Sequence, residues 1–138
     1  MTVSRLFMIA ITTMAVVCAS PALYSQAPDD CASAPAVGEG SSSYDLTGST
    51  LDGSAVCDSN MANDVWVSYT ASCSGTATFG TCSQSGSNDD SVLIVYDGGA
   101  CPSAGDPCLA SSDDACGGSG FMSEVSMPVT GGNPYLVQ

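Results

Sequence analysis

The chain has 138 residues, 44% of them hydrophobic, with 14 Asp and Glu, no His and one cationic side chain, giving a formal net charge of −13. Every carboxylate lies at or after Asp29 and the single cation is Arg5, so no later residue can neutralise a phosphate or form a salt bridge. This excludes nucleic acid and anionic membrane surfaces as electrostatic partners, since their binding depends on cations that displace counterions.

The length suits one domain, preceded by a targeting segment. Met1 to Arg5 forms a short positive start, Leu6 to Cys18 is apolar, and small residues follow at Ala19, Ser20, Ala22, Ser25 and Ala27. This pattern predicts a secretory signal peptide over 1–27 and a secreted, extracellular domain over 28–138, with cleavage after Ala22 or Ala27 both compatible with a small residue at the scissile position. Val16 and Val17 precede Cys18 where a lipoprotein signal wants a small residue, which argues against lipidation. No later run approaches the roughly 20 apolar residues of a membrane-spanning helix.

Cys31, Cys57, Cys73, Cys82, Cys101, Cys108 and Cys116 follow. In an exported chain of this size they read as a disulfide framework, and the lack of His and of any C-x-x-C pair disfavours zinc. Closeness in sequence suggests Cys101 with Cys108, Cys73 and Cys82 flank a single strand and can pair across a bend, and Cys31 with Cys57 would then tie the N-terminal arm to the segment before the tryptophan strand, leaving Cys116 over; the sequence alone does not fix connectivity. The odd thiol is free, pairs beyond Gln138, or pairs with another chain.

Between punctuation by Gly, Ser, Asn, Asp and Pro lie short β-rich runs without helical periodicity. "DVWVSYTA" places Val65, Val67 and Tyr69 on one face and Trp66, Ser68 and Thr70 on the other. "GTATFGT" alternates through Ala77 and Phe79, and "SVLIVYDG" is apolar on both faces, as a central strand is. "EVSMPVT" alternates through Val125, Met127 and Val129, with Pro128 marking a bulge or an edge, and "GGNPYLV" turns into a last strand. Residues 83–90 and 98–120 read as long loops. The sum is an all-β, antiparallel, jelly-roll-like β-sandwich held by disulfides.

The succession "DDCASA", "DVWVSYTA", "CSGTATFGTC", "NDDSVLIVYDG", "SSDDACG" and "VSMPVTGGNPYLVQ" resembles the bacterial pre-peptidase C-terminal domain in its cysteine-containing variety, over essentially the whole segment after the signal. The resemblance implies a jelly-roll-like sandwich with an accessory or binding role beside other domains of a longer parent chain. Asp64 matches the aspartate of the first motif, Asp90, Leu93, Tyr96 and Asp97 the second, and Asp113 and Asp114 the acidic turn. Ser112 stands where the family usually has Asn. Members of the family also continue into one more strand, so the expectation is that the last strand's partner is missing, leaving an unpaired edge. In calcium-dependent relatives the ion lies between the N-terminal arm and the Asp-aromatic strand, which implies Asp29, Asp30, Asn63 and Asp64 as calcium ligands here; their bland reading is as turn and cap residues.

Catalysis finds little to work with. A Ser nucleophile has no ordinary base, and carboxylate chemistry from Asp89 and Asp90, or Asp113 and Asp114, needs two acids facing each other across a cleft, whereas neighbours on a strand point apart. Trp66, Tyr69, Phe79, Tyr96 and Tyr135 sit at strand positions that are more often core than sugar platform. The expectation is a non-enzymatic accessory or adhesion module for an extracellular protein or polysaccharide, with a structural spacer as the alternative.

Overall fold

The computed structural model describes residues 25–26, 29–46, 48–51, 57, 61–82, 90–117 and 121–138, so the apolar part of the signal segment, Cys18 and Asp89 lie outside the described residues. Among the described residues nine strands occur: β1 (Ser25–Gln26), β2 (Ala36–Val37), β3 (Tyr44–Asp45), β4 (Val67–Thr70), β5 (Gly75–Gly80), β6 (Val92–Asp97), β7 (Ala110–Asp113), β8 (Glu124–Val129) and β9 (Pro134–Val137). One three-residue 3-10 turn, Cys31–Ser33, is the only helix among the described residues, and none there is long and apolar enough to cross a membrane.

Five strands form one sheet in the order β2-β4-β9-β6-β7, and β5 pairs with β8 in a second. The long pairings are antiparallel, while β2 joins β4, and β1 joins β3, in parallel. Two-residue periodicity explains the layering. Ala77 and Phe79 of β5 and Val125, Met127 and Val129 of β8 meet Val67, Tyr69, Leu93, Val95, Tyr135 and Val137 of the larger sheet in one core, so the two sheets lie face to face as a sandwich. Tyr69 and Phe79 meet edge to face across it, with ring centroids 5.5 Å apart.

The larger sheet also buries its outer face. Trp66, Ile94, Tyr96 and Leu136 form a second cluster there, covered by Cys31, Ala34, Cys57, Met61 and Cys108. This is why "SVLIVYDG" is apolar throughout: β6 has β9 and β7 on its two sides and a core against each face. Pro128 sits, as anticipated, on a strand with one partner, β8.

Three expectations are corrected. The bridges are Cys31–Cys101, Cys57–Cys108 and Cys82–Cys116, with Cys73 free and exposed, so none of the three expected pairings occurs and Cys116 is not the odd thiol. Cys101 and Cys108 do not close their own loop; they fasten it to the N-terminal arm and to the segment ahead of Trp66, which roofs the outer cluster. The last strand is not an edge either. β9 is hydrogen-bonded to β4 on one side and β6 on the other. A further strand, β7, lies inside the segment read as a long loop; its "ASSD" sequence carries no large apolar residue and is recruited by pairing with β6 from Val95 to Val92.

Candidate functional site

Asp64 is 2% exposed, and its backbone N–H donates to the Thr50 carbonyl at 3.0 Å. Its carboxylate accepts from Gln138 Nε2 at 2.5 Å, and the Gln138 Oε1 accepts from the Tyr96 hydroxyl at 3.0 Å. Gln138 is placed by continuation of β9, since its N–H and C=O exchange bonds with Ile94. Burial, followed by the negative charge of Asp64, pushes the Tyr96 phenol above its ordinary value of 10.0. The Trp66 ring packs beside Tyr96 at 5.7 Å, with its buried Nε1 lacking a hydrogen-bond partner. A carboxylate that binds an amide fixed to a phenol is a buried structural network rather than an exposed reactive pair.

The four residues expected to hold calcium are placed as follows. Asp29 accepts from the Thr50 N–H at 2.5 Å and from the Thr50 hydroxyl at 3.1 Å. Asn63 donates its amide to Ser49 Oγ at 3.0 Å. With Asp64 bonded to the Thr50 carbonyl, three of the four therefore meet on the Ser49–Thr50 segment. Asp30 turns the other way and caps its own 3-10 turn by accepting from Ala32 N at 3.0 Å. Asp29, Asp30 and Asp64 do not form a trio of close carboxylate oxygens.

Such a trio exists elsewhere. Oxygens of Asp90, Asp113 and Asp114 lie within 4.8 Å of one another, all on exposed residues. The β6–β7 register sets Asp113 opposite Val92, close to Asp90, and Asp114 leaves the strand with φ of 59°. That left-handed step explains how neighbouring residues bring both carboxylates to one place, against the expectation that they point apart. The turn is anchored from below, with Asp114 N donating to Ser123 Oγ at 3.1 Å and Ser123 Oγ donating to the Ser91 carbonyl. The fully buried Ser123 also donates its N–H to Thr81 Oγ1 and Ser91 Oγ. Sequence reasoning had the three aspartates in hand but not their convergence, which depends on pairing with the unrecognised strand β7.

A groove of about 360 Å³ opens at the end of the sandwich, lined by Asp97, Leu109, Met127, Pro128, Pro134 and Tyr135 with Asn133 at its rim. It contains one carboxylate. Among the described aromatic residues Phe121 alone is exposed, at 57%, so they form no aromatic row on a sheet face. Comparison with family models, curated proteins and solved structures finds no match to this chain.

Proposed function

We propose that this chain is a secreted, non-catalytic accessory or adhesion module that recognises an extracellular polypeptide. One observation carries the reading: a sandwich with three disulfides presents a surface of carboxylates with no Lys, Arg or His after Arg5. Disulfides belong to oxidising compartments, and a uniformly anionic surface favours cationic partners and repels anionic ones. A polypeptide is favoured over a polysaccharide because the exposed aromatic platform of a sugar-binding sheet is not present among the described residues. The resemblance of the motif order to pre-peptidase C-terminal domains agrees with an accessory role in a longer parent protein.

Calcium enters this reading as a stabilising ion. The residues that would hold it are Asp29, Asn63 and Asp64, gathered on Ser49–Thr50, with Asp30 adjacent in the chain. It would supply there a divalent counter-charge to the carboxylates of Asp29 and Asp64.

The test expresses the full chain with its own N-terminal segment in a secreting host. The culture medium should contain oxidised protein, and the purified product should bind members of a panel of extracellular proteins in a salt-sensitive manner while leaving peptide and glycoside chromogens intact. Turnover that disappears in Asp90→Asn would overturn the non-catalytic reading. Absence of binding to every member of the panel would favour the spacer instead.

A further inference from the structure

The end groove brings an apolar trough and a lone carboxylate together. Leu109, 51% exposed, and the exposed Pro128 and Pro134 form its walls, while buried Met127 and Tyr135 close the floor. Asp97, at the last position of β6, is exposed at its margin. No cation exists among the described residues to pair with it.

The walls are fixed before anything binds. Gly98 N–H donates to the Pro134 carbonyl at 3.1 Å, and a Cβ at Gly98 would stand 2.5 Å from the Tyr135 nitrogen, so Asp97 is seated directly against the start of β9. The Tyr135 hydroxyl accepts from Thr130 N at 2.8 Å, and Gly132 N–H donates to the Ala71 carbonyl at 2.8 Å, tying the β8–β9 turn to the end of β4. Leu109 is held by its N–H on the Val95 carbonyl at 2.7 Å. A preformed recess avoids part of the ordering cost of binding.

We propose that this groove receives an arginine side chain of an extracellular polypeptide, its aliphatic stem lying between Leu109, Pro128 and Pro134 and its guanidinium meeting Asp97. The assignment rests on the accessory-module reading and gives it a partner chemistry. Charge complementarity selects the cation, and the groove's volume, at the small end for ligand sites, fits one long side chain. Arginine is preferred to lysine because its guanidinium is more weakly hydrated and pairs with a carboxylate through two parallel hydrogen bonds. Its stem can cover apolar surface while its charge stays at the wet margin.

The experiment titrates the oxidised full chain with acetyl-Leu-Arg-Leu-amide, the same peptide with citrulline, and the same peptide with lysine, following backbone and Asn133 side-chain amides by NMR. The arginine peptide should give saturable shifts centred on Asp97, Leu109 and Asn133, and the citrulline peptide should bind at least tenfold more weakly. Asp97→Asn should cause a similar loss, Leu109→Ser a severalfold loss, and Asp113→Asn no change. Shifts that survive Asp97→Asn, that are equal for citrulline, or that centre on Asp90 and Asp114 would overturn the assignment. The citrulline comparison uses the unaltered chain, so the proposal remains decidable if a variant fails to fold. If the groove stays silent while the chain still binds extracellular proteins, the groove assignment alone falls; if neither binds, the accessory reading falls with it.

Discussion

Tyr96 shows how one side chain ties stability to pH in a protein without histidine. Its hydroxyl donates to Gln138, whose amide in turn donates to the buried Asp64. Tyr96→Phe removes a donor from a buried carbonyl and should cost about 1 to 3 kcal/mol in urea unfolding. Because the folded phenol titrates above its ordinary 10.0, its contribution is intact below pH 10 and is lost as pH rises from there through the folded value, the unfolded chain releasing its proton first. Stability measured between pH 8 and 11 should therefore fall more steeply in the parent than in Tyr96→Phe; equal slopes would remove Tyr96 as the cause. Gly98 makes a second case. A Cβ there would lie 2.5 Å from one backbone atom of the next strand and 2.6 Å from another, which only a shift of β9 could relieve. Gly98→Ala should cost about 3 kcal/mol, whereas Gly99→Ala, whose nearest contact would be 3.9 Å away on the Asp97 carboxylate, should stay within about 0.5.

Strands with their own apolar period were legible from sequence, and strands without one were not. β4, β5, β6, β8 and β9 announce themselves through alternation or a continuous apolar run, whereas β7 owes its extended form to the neighbour that pairs with it. Disulfide pairing was illegible for a related reason: the bridges join residues 70, 51 and 34 positions apart, and these distances are set by the folded sheet. The acidic trio shares this dependence, and so does the surrounding of Asp64, whose bond to Gln138 and through it to Tyr96 exists only once β6 and β9 are paired. Loops of these sizes imply about 4 kcal/mol of unfolded-state entropy per bridge in the chain-entropy account. The bridges differ in what they cover. Removing Cys57–Cys108 with paired alanines should loosen the roof over Trp66 and shift its fluorescence to the red, while removing Cys82–Cys116 should lower stability with Trp66 emission unchanged below the transition. A red shift in both variants would show that the outer cluster has no lid of its own.

Over the molecule as a whole, fourteen carboxylates opposed by one cation in the N-terminal segment make self-repulsion the dominant long-range term. Raising monovalent salt from roughly 10 to 150 mM shortens the screening length from about 30 to 8 Å and should raise the melting temperature of the oxidised domain. Calcium at an ionic strength matched to magnesium should raise it further, with the excess lost in Asp64→Asn; identical shifts for the two ions would leave screening as the whole effect. The position of β9 bears on the timing of assembly. Its partners β4 and β6 begin 67 and 42 residues earlier in the chain, yet they are joined in the sheet only through hydrogen bonds to it. A nascent chain that has not yet yielded residues 134–137 holds two half-sheets with no shared strand and apolar faces that lack their middle. Contacts of such long sequence separation form slowly, so the sheet closes only after nearly all the described chain has emerged. Until then the larger sheet stays in two parts, β2-β4 and β6-β7, each with one long edge unpaired.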